Sequence, residues 1–198
     1  DDLGRLIKED NGTTVKTKAY DEFGNVIKET ESGEGYCEET VYKYDKNNNE
    51  IYIKHSYSSA DGHSGIYYIH EKTYNENNQL VKDFLDNQSM EYQEETEYEY
   101  NDHGDISQTT KTTIRESNKT PYTHVTNFEY TYDSQDRIIK TVTNNYLAEG
   151  STKIETFIYD DRGDLVREET YSSLVNGNSA NEYDYTYNEN GVLEKKVR

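Results

Sequence analysis

Polar and apolar residues alternate one by one along most of this chain, as in ETEYEY (residues 95–100) and NFEYTY (residues 127–132). A period of two sends successive side chains to opposite faces of a β-strand. No window carries apolar residues at helical spacing. The alternation therefore predicts an all-β chain with about fifteen short strands.

The alternating runs are punctuated by one recurring phrase: Tyr, Asp or Asn, two variable residues, Gly or a substitute, a polar residue, then an aliphatic one. It reads YDEFGNV from Tyr20, YNENNQL from Tyr74, YNDHGDI from Tyr100, YDSQDRI from Tyr132, YDDRGDL from Tyr159 and YNENGVL from Tyr187. YDKNNNEI from Tyr44 reads as a copy with one extra residue, and the opening DDLGRL as a copy without its tyrosine. Successive anchors lie roughly 24 to 32 residues apart, the spacing of a repeat array. Physically each phrase is a hairpin turn. Its Asp or Asn can bond the backbone beyond it, and Gly suits the left-handed residue that closes a type I turn with a bulge. Where Gly is missing, Asn48, Asn78 and Asp136 stand in, and these residue types tolerate that conformation.

A second, variable class of turn lies between the phrases: Asp10-Asn11-Gly12, Gly33-Glu34-Gly35, Asp61-Gly62, Glu149-Gly150 and Asn176-Gly177-Asn178. The two classes alternate, so each repeat supplies two antiparallel strands. The expected fold is an antiparallel meander of repeated hairpins spanning residues 1–198 as one repeat domain, with about eight phrases, the first truncated. The chain starts inside one phrase and stops just after another, which reads as a segment of a longer array or a chain trimmed of a signal peptide.

Hairpin geometry sets Tyr20 across from Val26, Tyr132 from Ile138, Tyr159 from Leu165 and Tyr187 from Leu193. One step further out it sets position 18 against Lys28, Tyr130 against Lys140, Phe157 against Arg167 and Tyr185 against Lys195. Such aromatic–aliphatic and cation–aromatic pairs contribute ~0.2–1 kcal/mol each. The other face is uneven: Ile7, Ile27, Val81, Ile139 and Val166 follow the turns, but Ser107 and Glu194 hold equivalent places. Two arrangements fit, a sheet that is partly single-layer and one that curls to enclose part of a face. Either way an elongated or curved body is expected rather than a sandwich.

Composition sharpens this picture. Asp and Glu total 40 against 21 Lys and Arg, a net charge of −19, and hydrophobic residues make up only 31%. That balance resembles a disordered chain. The 21 tyrosines and their regular spacing argue instead for a folded one whose apolar surface is largely phenolic. A phosphate backbone would be repelled, so nucleic acid is not an expected partner. One Cys, Cys37, excludes a disulfide framework, and no apolar run approaches a membrane span.

The phrases resemble the YD repeats of the Rhs family, whose units run Tyr-Asp, two variable residues, Gly, a polar residue and Leu. The resemblance reaches nearly the whole chain through the phrases quoted above. Three phrases lack Gly, three have Asn after the Tyr, and neither an Rhs core-end motif nor a toxin-like C-terminal domain is visible. The resemblance implies a bacterial cell-surface or secreted β-repeat protein, extracellular in location. It also implies membership of β-sheet shells or stalks, some of which enclose a toxin.

Candidate chemistry is sparse. Asp45-Lys46-Asn47-Asn48-Asn49-Glu50 begins like a calcium loop, but Glu50 stands where Gly is needed and Ser56 where a bidentate Glu is needed. Turn geometry accounts for it. His55, His63 and His70 match no zinc spacing, His103 sits in a turn, and His124 is isolated on a strand. No nucleophile elbow, phosphate-cradling loop or dinucleotide fingerprint is present. Glu91, Glu94, Glu95, Glu97 and Glu99 read as strand alternation with a solvated edge that discourages aggregation. The expectation is a protein that is not an enzyme, with no cofactor and no metal site. Binding potential lies in three aromatic stripes: Tyr98 and Tyr100; Phe128, Tyr130 and Tyr132; Tyr183, Tyr185 and Tyr187. Such stripes can stack on a glycan or bury against a surface protein, or they can serve as the framework of the sheet itself. Three functions follow: a non-enzymatic scaffold, a carbohydrate- or protein-binding module, or a shell fragment of a larger Rhs-type toxin-delivery protein.

Overall fold

A computed structural model of the chain describes residue 2, residues 5–174 and residues 177–198. Among these residues every regular element is a β-strand. They are β1 (Lys8–Asp10), β2 (Val15–Tyr20), β3 (Val26–Gly33), β4 (Tyr36–Tyr44) and β5 (Glu50–Ser59). Next come β6 (Ser64–Tyr74), β7 (Leu80–Asn87), β8 (Tyr92–Tyr100), β9 (Ile106–Arg115) and β10 (Tyr122–Tyr132). The chain closes with β11 (Ile138–Asn144), β12 (Thr152–Tyr159), β13 (Leu165–Leu174), β14 (Gly177–Tyr187) and β15 (Leu193–Val197). All fifteen strands follow chain order in one antiparallel meander.

Contacts divide the chain into two units, Asp1–Glu97 with Lys111–Thr123, and Tyr98–Thr110 with His124–Arg198. Within each unit a strand contacts only its chain neighbours. Neither unit curls one face onto another, which settles in favour of a single layer the alternative left open by the sequence. The consequence is severe for a core: among the described residues no hydrophobic side chain is buried. Only Thr143, Ser151 and Ser172 are. Cohesion must come from backbone ladders and cross-strand side-chain pairs.

The phrases form one turn repeated seven times. Asp21 Oδ1 accepts the backbone N–H of Phe23 and of Asn25, each at 2.9 Å. The same oxygen of Asp45, Asn75, Asn101, Asp133, Asp160 and Asn188 brackets its own turn in the same way. One side-chain oxygen is all the bracket needs, so Asp and Asn are interchangeable there. The fourth residue after each tyrosine is left-handed: Gly24 at φ 93° and Gly163 at 91°, and likewise Asn48 at 72°, Asn78 at 64° and Asp136 at 64°. The substitutes expected from sequence occupy the strained position. The opening phrase falls partly on residues 1, 3 and 4, and Asn176 of the last variable turn also lies outside the described residues.

Register corrects four expected pairings. Tyr20 faces Val26, Tyr132 Ile138, Tyr159 Leu165 and Tyr187 Leu193, as the turn requires. One residue further, a second bulge intervenes: Thr131 faces Lys140 while Tyr132 faces Ile138, leaving Ile139 as the extra residue. Tyr130 therefore faces Thr141, not Lys140. Phe157 faces Glu168, not Arg167, and Tyr185 faces Lys196, not Lys195. Lys28 faces Ala19 rather than position 18 for the same reason. A one-residue slip moves a side chain to the opposite face, so the cations meant for the tyrosines lie on the other side of the sheet. The phrase from Tyr44 has no extra residue either. Tyr44 faces Glu50, which holds the aliphatic place, and Ile51 is the bulge residue.

Candidate functional site

The bulge sorts the sheet into two unlike faces. Along β10 and β14, Phe128, Tyr130, Tyr132, Tyr183, Tyr185 and Tyr187 are half-buried, while the intervening Glu129, Thr131, Glu182, Asp184 and Thr186 are exposed. On β8, Tyr98 and Tyr100 are half-buried and Glu97 and Glu99 exposed. The aromatic stripes thus form the better-covered face, each ring shielded by its neighbours in the same layer.

Their hydroxyls are tied into the sheet. Tyr130 donates to the Ile106 carbonyl at 2.9 Å. Tyr132 donates to Asp105 Oδ2 at 2.6 Å and accepts from Asn101 Nδ2 at 2.8 Å. Tyr185 donates to Glu168 Oε2 at 2.7 Å. Lys196 rests over the rings of Tyr183 and Tyr185, 4.2 and 5.0 Å from their centroids. This cation–aromatic contact is the kind expected, made by the next lysine along.

A wider rule emerges from the anchors, and sequence reasoning missed it. In four phrases the opening tyrosine reaches back to the carbonyl that ends the previous phrase, whereas the Ile106 carbonyl is taken by Tyr130 and the anchor Tyr132 bonds Asp105. Tyr20 donates to Leu6 at 2.8 Å, Tyr44 to Val26 at 2.9 Å, Tyr74 to Glu50 at 3.5 Å and Tyr159 to Ile138 at 3.2 Å. The residue just before that carbonyl also meets the ring: Arg5 lies 4.5 Å over Tyr20 and Arg137 4.5 Å over Tyr159. An Arg in the sixth place of a phrase was the available signal. Burial of these rings raises the affinity of several hydroxyls for their protons. Tyr42 is pushed up to about 12 by desolvation and the Glu29 carboxylate, and Tyr44, Tyr100 and Tyr130 move the same way through desolvation.

The turns are joined laterally as well. The left-handed Asn48 accepts from Asn25 Nδ2, Asn78 accepts from Asn47 Nδ2 at 3.2 Å and Asn49 Nδ2 at 2.5 Å, and Asp136 meets His103 Nδ1 at 2.9 Å. Each residue that replaces glycine spends its side chain on the previous turn, which explains why the strain there is tolerated. His103 also stacks on Tyr132, centroids 3.9 Å apart.

The other histidines are dispersed. His55 shares a hydrogen bond with Thr40 at 2.8 Å, His70 pairs with Asp83 at 2.5 Å, and His63 sits exposed in a turn 3.7 Å from Asp61. His124 donates to the Asn145 carbonyl at 2.7 Å. Among the described residues no three His, Cys, Asp or Glu side chains gather as a metal site. Asp45 and Asn49, from the calcium-like run, bond each other and their own turn. An open recess of about 460 Å³ lies beside Arg137, Ile139, Phe157 and Ile158. No described helix is long and apolar enough to cross a membrane.

Comparison with known proteins gives a fold likeness only. No protein-family model matches the chain. No curated protein matches it. Among solved structures, the crystal structure of TcdB2-TccC3-TEV matches 93% of this chain at a TM-score of 0.57 and 16% identity. This chain spans 9% of the length of that one. The Photorhabdus luminescens Tc holotoxin pore with a TccC3 point mutant matches 98% of this chain at a TM-score of 0.44 and 15% identity, over 11% of its own length.

Proposed function

We propose that the chain is a non-enzymatic β-repeat scaffold, a wall segment of a larger secreted or surface-exposed bacterial assembly of the Rhs type. The observation that carries this reading is the reach of four anchor tyrosines to the previous phrase's last carbonyl, as from Tyr44 to Val26 and from Tyr159 to Ile138. Four anchors fasten their repeat to its neighbour by this same device, Tyr130 reaches the Ile106 carbonyl in place of the anchor Tyr132, and such links serve extension of a wall. The likeness to one stretch of the TcdB2-TccC3-TEV chain supports it, since there too the matching region is a small part of a much longer polypeptide. So does the resemblance of the phrases to YD repeats.

Excising one repeat tests the reading. Removal of residues 132–158 joins Thr131 to Tyr159 in phase, and repeat arrays are stabilised mainly by neighbour contacts. The shortened chain keeps its β-type circular dichroism and melts cooperatively. Loss of all structure on that excision would sink the scaffold reading.

A further inference from the structure

Left-handed backbone is not spread evenly over residue types. Among the described residues six non-glycine positions have positive φ, and four of them, Asn48, Asn78, Asp136 and Asn145, are of types that tolerate it. Glu91 at 56° and Lys119 at 52° are not. Glu91 stands between β7 and β8 and Lys119 between β9 and β10, both in variable turns where glycine would serve without strain. Both also line one open recess of about 360 Å³, within the first unit and in the size range of small-ligand pockets. Backbone strain of this kind gathers at sites where a particular side chain is required.

The recess is preformed. The Glu91 carbonyl accepts the N–H of Glu116 at 2.9 Å, which ties the two turns together. On the lining, Asp86 accepts from Gln88 Nε2 at 3.2 Å and from Gln93 Nε2 at 3.4 Å, one glutamine to each carboxylate oxygen. Three planar groups thus orient one another. With an N–H of each spent on Asp86, both glutamines offer carbonyl oxygens as acceptors. Ile114 adds an apolar surface to the same lining.

These groups select a ligand by its chemistry. Asp86, Glu91 and Glu116 outnumber the one ammonium, Lys119, so a phosphate or carboxylate ligand is repelled. Among the described residues no three such side chains gather as a metal site. The lining contains no histidine, cysteine, serine or threonine to act as a nucleophile. What it can satisfy is a ring that donates several hydroxyls to carboxylate and amide oxygens and lays C–H groups on Ile114.

We propose that this recess binds a neutral pyranose unit of a glycan. Asp86, Gln88 and Gln93 accept its hydroxyls, and Glu91 and Lys119 are kept in strained conformations to reach it. The site is separate from the aromatic stripes and does not rest on the scaffold reading.

The probes are free lactose, maltose and cellobiose, titrated into the isotope-labelled chain and followed by amide chemical shifts. At least one saturates in the millimolar range, with shifts confined to residues 86–93 and 114–119. Glucuronate, an anionic ring of similar size, binds about tenfold more weakly or worse. Asp86→Ala weakens the sugar about tenfold while the circular dichroism is unchanged. Glu91→Gly separates binding from structure: it relieves the left-handed strain and raises the thermal midpoint, yet lowers affinity about fivefold. Failure of all three sugars to bind, shifts elsewhere, or equal affinity for glucuronate overturns the proposal. So does an Asp86→Ala or Glu91→Gly variant that binds as tightly as the parent.

Discussion

Tyr44 donates its hydroxyl to the carbonyl of Val26 at 2.9 Å, eighteen residues back along the chain, and so bolts one repeat to the one before it. Tyr187, the last anchor, occupies the same place in its phrase but makes no such bond among the described residues. The pair offers an internal control.

Tyr44→Phe leaves the Val26 carbonyl without this partner and costs about 1 kcal/mol. Tyr187→Phe stays within about 0.5 kcal/mol of the parent. Urea unfolding of both variants against the parent checks this. Equal effects would mean that the hydroxyl bond contributes nothing beyond the ring.

Gly163 is held at φ 91°, and a Cβ there would lie 3.2 Å from Arg137 Nη1. Gly163→Ala destabilises by about 1–2 kcal/mol, the cost of a left-handed residue with a side chain. The thermal midpoint reads it out. Arg137 can swing aside, so the backbone and not the contact sets the size.

Acid should loosen the turns unevenly. Asp133 is held below the ordinary carboxylate range by the backbone N–H of Arg137 and by its guanidinium, which lies 2.6 Å away. Asp45 is lowered likewise, by the Asn49 side chain first. A carboxyl depressed in the folded state stabilises above its unfolded value near 3.8 and loses that contribution as pH falls through the folded one. Asp133→Asn keeps the Oδ1 bracket, as Asn75 and Asn188 do, and removes part of this acid sensitivity. Stability curves between pH 5 and pH 2 compare the two (about the range in which a carboxylate titrates). Unchanged acid dependence would contradict the assignment.

Alkali acts through the phenols. Tyr42 is raised from 10.0 to about 12, so the folded chain holds its proton where the unfolded chain has released it. That contribution is complete below pH 10 and disappears as pH rises towards 12. Absorbance titration at the phenolate band should show a late-ionising tyrosine that Tyr42→Phe removes, together with a shallower loss of stability above pH 10.

Much of this was legible beforehand because it is local. Asp21, Asn25 and Gly24 lie within five residues, so the bracket, the left-handed closure and the hairpin follow from side-chain reach and backbone sterics alone. The left-handed roles of Asn48, Asn78 and Asp136 follow the same way. The tyrosine stripes were legible as a face, since alternation survives any register. The true partner of Tyr130, Thr141 rather than Lys140, was not, because Ile139 inserts one residue that nothing in its identity betrays.

What the chain's order of residues determined by itself was the meander: turns recur at fixed positions relative to Tyr, and each turn can close only on its own neighbours. What tertiary structure decided was everything that spans repeats, namely the second bulge, the reach from Tyr44 to Val26 and from Asn49 to Asn78, and the choice of a single layer in each unit. The physical reason is range. Contacts within a turn are set by covalent geometry, whereas contacts some 20 to 30 residues apart depend on how strands are staggered, and one extra residue resets that stagger.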